Sequence, residues 1–217
     1  MRLKASTVIF DMDGVVTDTM PYHFRVWREL FAREGICVSH EDIYKREGQK
    51  GFESVREIFT EFGVNCSASR ARRLLKEKEQ RFKSTFKRRY IPGSRAFLRR
   101  LRREGFRLAL VTGTSRHEVV GLLPMRVFNL FDVTVCGCEV QNGKPHPEPY
   151  LAALKKLGAK ASEAVAIENA PFGICSAKAA GIRCLAIETS LPKPYLHQAD
   201  GVFKSFKHLA SSVVFHK

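Results

Sequence analysis

The sequence lacks the long apolar runs of a membrane protein. No stretch reaches the ~20 consecutive apolar residues that a membrane-spanning helix needs. Near the N-terminus, the apolar run Val8–Phe10 ends at once at Asp11, which leaves no apolar core for a secretory signal peptide. These absences exclude an integral membrane protein and predict a soluble, cytoplasmic one.

Cysteine pairs of the kind that bind metals are also missing. None of the six cysteines forms a C-x-x-C pair, and no histidine lies beside them at zinc-site spacing. Most have apolar neighbours in the sequence, and a free cysteine in such surroundings behaves as a small hydrophobic residue. We therefore expect reduced, buried thiols rather than disulfides or zinc ligands, as suits the cytoplasm.

Acidic residues are scarce. The 217 residues include 22 Asp and Glu against 37 Lys and Arg, which gives a formal net charge of +15. Most of the excess lies between Arg70 and Arg107, where 16 basic residues stand against three Glu. So basic a chain suggests three kinds of partner: nucleic acid, an acidic membrane surface or anionic substrates. With 44% hydrophobic and 27% charged residues, the chain otherwise has the composition of a globular protein.

Short β-branched apolar runs recur along the chain and alternate with helix-like patterns. Continuous apolar strands of this kind are typical of a parallel sheet that is covered on both faces. The predicted strands are Thr7–Phe10, Leu108–Val111, Val133–Cys136, Ala164–Ile167 and Cys184–Ile187. We therefore predict an α/β fold, with a Rossmann-like parallel sheet core and helices on both faces.

A helical insertion is predicted after the first strand. Apolar residues recur there at spacings of three, four and seven, as on the buried face of a helix. The predicted helices are Tyr22–Glu34, Ser54–Phe62, Ala68–Arg89 and, beyond a hinge at Pro92, Ser94–Glu104. The expected organisation is an α/β core of residues 1–17 and 92–217 with an inserted α-helical domain of residues 18–91.

Two aspartates follow the first predicted strand, at the sheet edge where parallel folds bind ligands. In the segment FDMDGVVTDT, Asp11 and Asp13 stand two residues apart and Gly14 indicates a turn. Two carboxylates so close can act as nucleophile or metal ligand and as general acid/base. The same pattern is also typical of an Asx-rich turn that closes a strand.

The next two strands are followed by candidate phosphate-binding groups. In LVTGTS, Thr112 and the amides around Gly113 and Thr114 can donate to phosphate oxygens, although a plain helix cap gives the same pattern. In NGKPHP, Lys144 is a cation on a loop that prolines stiffen, a position that also suits a solvated surface lysine.

An acid and an amide, Glu168 and Asn169, end the fourth predicted strand. Their oxygens suit a hard cation such as Mg²⁺, and Asn169 also fits as the cap of a helix that Pro171 begins. Because the four patterns stand in order at successive strand ends, they indicate one site.

Together these motifs resemble those of the haloacid dehalogenase superfamily of aspartate-dependent phosphotransferases. The resemblance covers the whole chain, and the helical insertion resembles the α-helical cap of that superfamily. Within it, DMDGVVTDTMPYHFRVW is similar to the first motif and hinge of the β-phosphoglucomutase-like subfamily.

The resemblance implies roles for the core residues. Asp11 is expected to attack phosphorus and become an aspartyl phosphate, and Asp13 to protonate the leaving oxygen and later activate the acceptor. Thr112 and Lys144 are expected to hold the phosphoryl oxygens. We also expect Lys144 to keep Asp11 ionised by lowering its pKa.

The resemblance also implies a Mg²⁺ site, formed by Asp11, the backbone carbonyl of Asp13, and the acidic motif of Glu168 and Asn169. Many relatives carry two acids in that motif. Asn169 replaces the second one, so the site has one negative charge fewer nearby.

The cap departs further from the mutase pattern. Mutases carry a basic residue, a glycine and then an arginine that recognises the distal phosphate of the substrate, whereas this chain has Glu47 and Gly51 at the two basic positions. Lys50 lies close enough in sequence to substitute. The candidate substrate-binding residues are Gly113, Thr114, His23, Lys50, Ser54 and Lys78.

The sequence therefore predicts Mg²⁺-dependent phosphoryl transfer through an aspartyl phosphate. We expect a phosphatase for small phosphorylated metabolites, of the sugar phosphate or phosphoglycolate type, in a monomer or weak dimer. The alternative is a β-phosphoglucomutase-type sugar phosphomutase. A remote alternative is a nucleic-acid-binding protein that uses the basic segment 70–107.

Overall fold

A six-stranded parallel sheet forms the centre of the computed structural model, which describes residues 1–217. The strands are β1 (Arg2–Lys4), β2 (Thr7–Phe10), β3 (Arg107–Val111), β4 (Val133–Val135), β5 (Ala164–Glu168), β6 (Arg183–Ile187), β7 (Gly201–Phe203) and β8 (Val214–His216). The order in the sheet is β4-β3-β2-β5-β6-β7, so β2 lies near its middle, while β1 and β8 pair separately.

Helices flank this sheet and fill the long interval between β2 and β3. They are α1 (Met20–Arg33), α2 (His40–Tyr44), α3 (Gly51–Glu61), α4 (Ala68–Thr85), α5 (Ser94–Arg103), α6 (Arg116–Leu122), α7 (Met125–Phe128), α8 (Glu148–Leu157), α9 (Pro171–Ala179) and α10 (Phe206–Ser212). Short 3-10 turns lie at Gly137–Glu139, Ala161–Glu163 and Lys193–Leu196.

Both faces of the sheet are buried, as the continuous apolar strands predict. In β2, Val8 and Phe10 join a 29-residue cluster under α5, α6 and α10, whereas Ile9 between them joins a 17-residue cluster under α8 and α9. Alternate residues of a strand point to opposite faces, so each face needs its own apolar set. The predicted α/β fold is confirmed.

The helical insertion α1–α4 has an apolar core of its own. A 16-residue cluster there includes Phe31 of α1, Phe59 of α3 and Leu74 of α4, together with Leu191 from the region after β6. No helix of the molecule is both long and apolar enough to cross a membrane.

Several boundaries differ from the predictions. Helix α4 ends at Thr85 rather than Arg89, because Phe86 takes an extended conformation and its ring packs on Phe82 and Tyr22. The short elements α2 and β7 were not predicted. All six cysteines are free, as expected. Only Cys136 and Cys184 are buried, so the expectation of burial is wrong for the other four.

The basic segment 70–107 runs from α4 through α5. Many of its arginines pair with acidic side chains: Arg70, Arg73, Arg81, Arg89, Arg100 and Arg102. Most of these pairs are solvent-exposed, and such pairs contribute about 0–1 kcal/mol each.

Candidate active site

Asp11, Lys144 and Glu168 form a buried chain of charges at the carboxyl end of the sheet. Asp11 directly follows β2, Glu168 ends the neighbouring strand β5, and Lys144 reaches both from the loop before α8. The Lys144 ammonium donates to Asp11 Oδ1 and to Glu168 Oε1, each at 2.6 Å. The side chains are at most 2% exposed, so Lys144 is not a surface lysine.

Asp13 lies next to this chain and accepts hydrogen bonds on both of its oxygens. Thr19 donates to Oδ1 at 2.6 Å, and His23 Nε2 lies 3.5 Å from the same atom. Thr114 and Thr112 donate to Oδ2 at 3.0 and 3.4 Å. Burial alone raises the pKa of Asp13, but the bonds from His23, Thr19 and Thr114 outweigh it and lower the pKa to about 2. Asp13 is therefore ionised at neutral pH.

Lys144 lowers the pKa of Asp11, as expected, but other influences outweigh it and the net shift is upward. Burial raises the pKa of Asp11 well above its ordinary value, and the charges of Glu168 and Asp13 add to the rise, so that the opposing pull of Lys144 is not enough. Lys144 itself has a raised pKa despite burial, because two carboxylates contact it. One lysine does not neutralise this group of acids.

A fourth buried acid, Glu47, enters the site from the helical insertion. Asn169, which follows β5, donates from Nδ2 to Glu47 Oε2 and to Ser190 Oγ, each at 2.7 Å. Burial raises the pKa of Glu47 well above its ordinary value, and Asp11, Asp13 and Glu168 raise it further.

The insertion approaches the core so closely here that only glycine fits. Gly48 has φ +80°, a conformation that favours glycine, and a side chain there would collide with Lys144. A Cβ on Gly113, in the loop after β3, would lie 2.6 Å from the Gly48 carbonyl oxygen. The two glycines therefore let the insertion close over the carboxylates.

A cavity of about 340 Å³ lies between the insertion and the carboxyl end of the sheet. All of the predicted substrate-binding residues line it: Gly113, Thr114, His23, Lys50, Ser54 and Lys78. The ammonium of Lys50, however, donates to the backbone oxygens of Val140 and Gln141 at 2.7 and 2.6 Å. The hydroxyl of Ser54 donates to Gln49.

Lys78 is placed differently. Its ammonium lies 5.8 and 5.3 Å from the ring centres of Trp27 and Phe82, and it makes no hydrogen bond or ion pair. His23 stacks on the same Phe82 ring, with 4.2 Å between ring centres. Burial and the charge of Lys78 lower the pKa of His23, so His23 is neutral at pH 7. Lys78 therefore presents a cation to the cavity.

Three buried oxygens in this site have no hydrogen-bond donor: Asp11 Oδ2, Glu47 Oε1 and Asn169 Oδ1. Such atoms need a partner, and oxygens of this kind are the ligands that Mg²⁺ prefers. Nowhere do three His, Cys, Asp or Glu side chains already converge as a metal centre. The donor set fits an oxygen-ligated cation, with an amide oxygen at Asn169 in place of a carboxylate.

Sequence reasoning missed some residues of the site. Tyr150 donates to Glu168 Oε1 at 2.6 Å, and Ser190 contacts Asn169. Neither lies in a motif, and no local signal distinguishes them. Glu47 was noticed only as the loss of a cation, and the adjoining Gly48 was the one indication that this turn lies close to the core.

This fold and site define a class, the α/β phosphoryl-transfer enzymes with buried carboxylates at the carboxyl end of a central parallel strand. The model of the haloacid dehalogenase-like hydrolases matches residues 5–181, and the chain belongs to that family. It is an enzyme of the phosphatase and phosphomutase type, as predicted.

Similar proteins include both chemistries. The phosphorylated carbohydrates phosphatase of Thermotoga maritima is 34% identical over 81% of either chain. Hexitol phosphatase A of Escherichia coli is 28% identical, over 96% of this chain and 94% of its own. The crystal structure of β-phosphoglucomutase from Clostridium difficile has a TM-score of 0.83 and 26% identity, and covers 94% of this chain and 93% of that one.

Proposed function

We propose that this enzyme hydrolyses small phosphorylated metabolites and that Asp11 carries the phosphoryl group as an aspartyl phosphate. The observation that supports this most is the buried Asp11–Lys144–Glu168 chain, with Asp13 beside it lining the cavity. A carboxylate nucleophile and a separate carboxylate acid/base are what two-step phosphoryl transfer requires. We propose that residues 18–91 act as a cap over this core.

The proposed cofactor is Mg²⁺, held by Asp11, the carbonyl of Asp13, Glu168 and the amide oxygen of Asn169. Bound there, the ion would neutralise the repulsion between the attacking carboxylate and an anionic phosphate. Lys144 supplies a second positive charge at the same place and orients Asp11 through Oδ1, which leaves Oδ2 free of hydrogen bonds. The proposed role of Thr112, whose hydroxyl lies 3.4 Å from Asp13 Oδ2, is to hold a phosphoryl oxygen.

Asp13 suits the hydrolysis half of the reaction. Because its pKa is about 2, it is a carboxylate at neutral pH and can accept a proton from the attacking water. Protonation of the leaving oxygen requires the acid form, so the hydrogen bonds from Thr19 and Thr114 must loosen when a substrate enters. Since Thr19 and His23 belong to the cap and its hinge, cap movement would control this step.

The substrate is proposed to be a sugar phosphate or a molecule of the phosphoglycolate type. The cavity of about 340 Å³ is at the small end of ligand pockets, which argues against a polymer. The relatives named for hexitol and carbohydrate phosphates point the same way.

A mutase is the second candidate, and the cap chemistry argues against it. A bisphosphate intermediate needs cations for two phosphate groups. Four basic residues line the cavity, but the charged group of Arg46 bonds to Glu61 and to the Asp42 carbonyl, and that of Lys50 bonds to backbone oxygens. His23 is neutral, so Lys78 is the cation left for a distal phosphate.

One assay separates the two candidates. The enzyme is incubated with Mg²⁺ and β-glucose 1-phosphate plus catalytic glucose 1,6-bisphosphate, and in parallel with a panel of sugar phosphates, phosphoglycolate and nucleotides. Free phosphate from at least one small substrate supports the proposal. Glucose 6-phosphate as the main product would overturn it in favour of the mutase. Asp11→Asn is the control and should release no phosphate.

A further inference from the structure

Glu47 makes a contact between the cap and the metal-binding end of the core. It lies in the turn after α2, is 7% exposed, and reaches the residues that follow β5. Its Oε2 accepts a hydrogen bond from Asn169 Nδ2 at 2.7 Å and lies 3.5 Å from Ser190 Oγ. A cap residue therefore touches the motif in which Asn169 replaces an acid.

The second oxygen of Glu47 has no donor. Glu47 Oε1, Asn169 Oδ1 and Asp11 Oδ2 are all buried without a partner, on side chains that are 7%, 0% and 1% exposed. The amide nitrogen of Asn169 is already used twice, so it cannot satisfy these oxygens. Three buried acceptors in one connected group, none with a donor from the protein, fit an oxygen-ligated cation.

Charge leads to the same conclusion. Four carboxylates are buried together, those of Asp11, Asp13, Glu47 and Glu168, and Lys144 pairs with only two of them, Asp11 and Glu168. Buried carboxylates without a balancing cation are strongly disfavoured. A divalent cation would therefore offset the excess negative charge of the site. Glu47 supplies one negative charge, as an acid at the position of Asn169 would.

We infer that Glu47 is a ligand of the cation, supplied by the cap in place of the carboxylate that Asn169 lacks. This inference rests on the Mg²⁺ site of the proposed function and adds a cap residue to it. Because the ligand belongs to the cap and its partners to the core, the cation binds more tightly when the cap is closed. By linkage, cation binding then favours closure to the same extent.

The test measures binding of Mg²⁺ alone, by calorimetry on the full chain without substrate. Glu47→Gln keeps the size of the side chain and an acceptor for Asn169 but removes the charge. We expect it to weaken Mg²⁺ binding on the order of tenfold or more, as losses around metal ligands do. The matched control is Glu79→Gln, because Glu79 lines the same cavity on α4 and makes no hydrogen bond; its affinity should stay within about twofold of wild type.

The second variant, Asn169→Asp, is tested alone and together with Glu47→Gln. Asn169→Asp returns a carboxylate to the core, so it should tighten Mg²⁺ binding in the wild-type background and restore most of the affinity in Glu47→Gln. Trp27, the single tryptophan, lines the cavity on α1 and reports closure by its fluorescence. The Mg²⁺ midpoint of its emission change should rise with Glu47→Gln as the calorimetric constant does.

The outcomes are distinct. Wild-type Mg²⁺ affinity in Glu47→Gln, or equal losses in Glu47→Gln and Glu79→Gln, would overturn the inference. If phosphate release by that variant still needs Mg²⁺, the proposed function survives while the role of Glu47 does not. If wild type neither binds Mg²⁺ nor releases phosphate from any substrate, the proposed function fails and the inference fails with it.

Discussion

Because the site buries more negative than positive charge, neutralising Asp11 and neutralising Lys144 should change the stability of the protein in opposite directions. Asp11 and Lys144 are 2.6 Å apart and both buried. If the pair were an isolated, balanced salt bridge, neutralising either side chain would destabilise the protein. In this site the acids outnumber the lysine, so Asp11→Asn should stabilise the metal-free protein and Lys144→Met should destabilise it.

The magnitudes follow from the surroundings of each atom. Asp11 Oδ2 is buried without a donor, and an unsatisfied buried group costs about 1–3 kcal/mol, or more when it is charged; the asparagine removes the charge while its oxygen still accepts from Lys144. Lys144→Met leaves Asp11 and Glu168 without a cation, and breaking a buried pair in this way costs about 3–5 kcal/mol. For a chain of this size each kcal/mol shifts the Tm by roughly 2–4 °C.

The stability difference between Asp11→Asn and wild type should also depend on pH, in a direction that can be predicted. The pKa of Asp11 is raised above its ordinary value of 3.8, so the folded protein binds this proton more tightly than the unfolded chain does. The stability that wild type has with a neutral Asp11 is therefore lost as pH rises from that value through the folded pKa. The advantage of Asp11→Asn should therefore grow as the pH rises and shrink as the pH falls toward the ordinary pKa of an aspartate.

The assay is urea and thermal unfolding in EDTA, with wild type and both variants at each pH. A stabilised Asp11→Asn beside a destabilised Lys144→Met supports the charge imbalance. If Asp11→Asn loses stability as Lys144→Met does, or if its advantage grows toward low pH, the site does not bury an excess of negative charge.

Three further predictions concern single residues. Asp13→Asn should lower turnover by roughly 10²–10⁴-fold in steady-state assays while the fold persists, because the proton acceptor is lost; turnover near wild type would exclude Asp13 as the base. Lys78→Met should raise KM on the order of tenfold or more for a substrate with a second anionic group such as phosphoglycolate, because a charged hydrogen bond contributes about 1.5–3 kcal/mol. It should leave KM near wild type for a sugar monophosphate, which has no second anionic group. Lys50→Met removes the bonds to Val140 and Gln141 that join cap and core, so amide hydrogen exchange should quicken in the 45–50 turn, and unchanged exchange there would contradict this role.

The sheet and the core of the site were predictable because their signals are local. Short apolar runs such as Thr7–Phe10 cannot be mistaken for loops, and the polar residues after parallel strands meet at one edge of the sheet. That geometry brings Asp11, Thr112 and Glu168 together, as predicted. Short elements gave no such signal: β7 has three residues, the first of them Gly201, and α2 has one turn and a half.

The contacts between cap and core were not predictable, because they depend on distant backbone. Lys50 was expected at the substrate, but its ammonium binds carbonyl oxygens some 90 residues away along the chain. Glu47 was read as a lost cation, and only the fold places it against Asn169. The pKa of Asp11 likewise depends on how many acids the fold buries around one lysine.

The role proposed for Asp11 is to carry the phosphoryl group during the reaction. The most direct measurement is peptide mass spectrometry after acid quenching of the enzyme during turnover with Mg²⁺ and the best substrate of the panel, with Asp13→Asn used to slow hydrolysis of the intermediate. We expect a hydroxylamine-sensitive phosphoryl group on Asp11 of the Asp13→Asn enzyme and none when Asp11 is replaced by Asn. A phosphoryl group on another residue, or undiminished phosphate release by Asp11→Asn, would contradict this role.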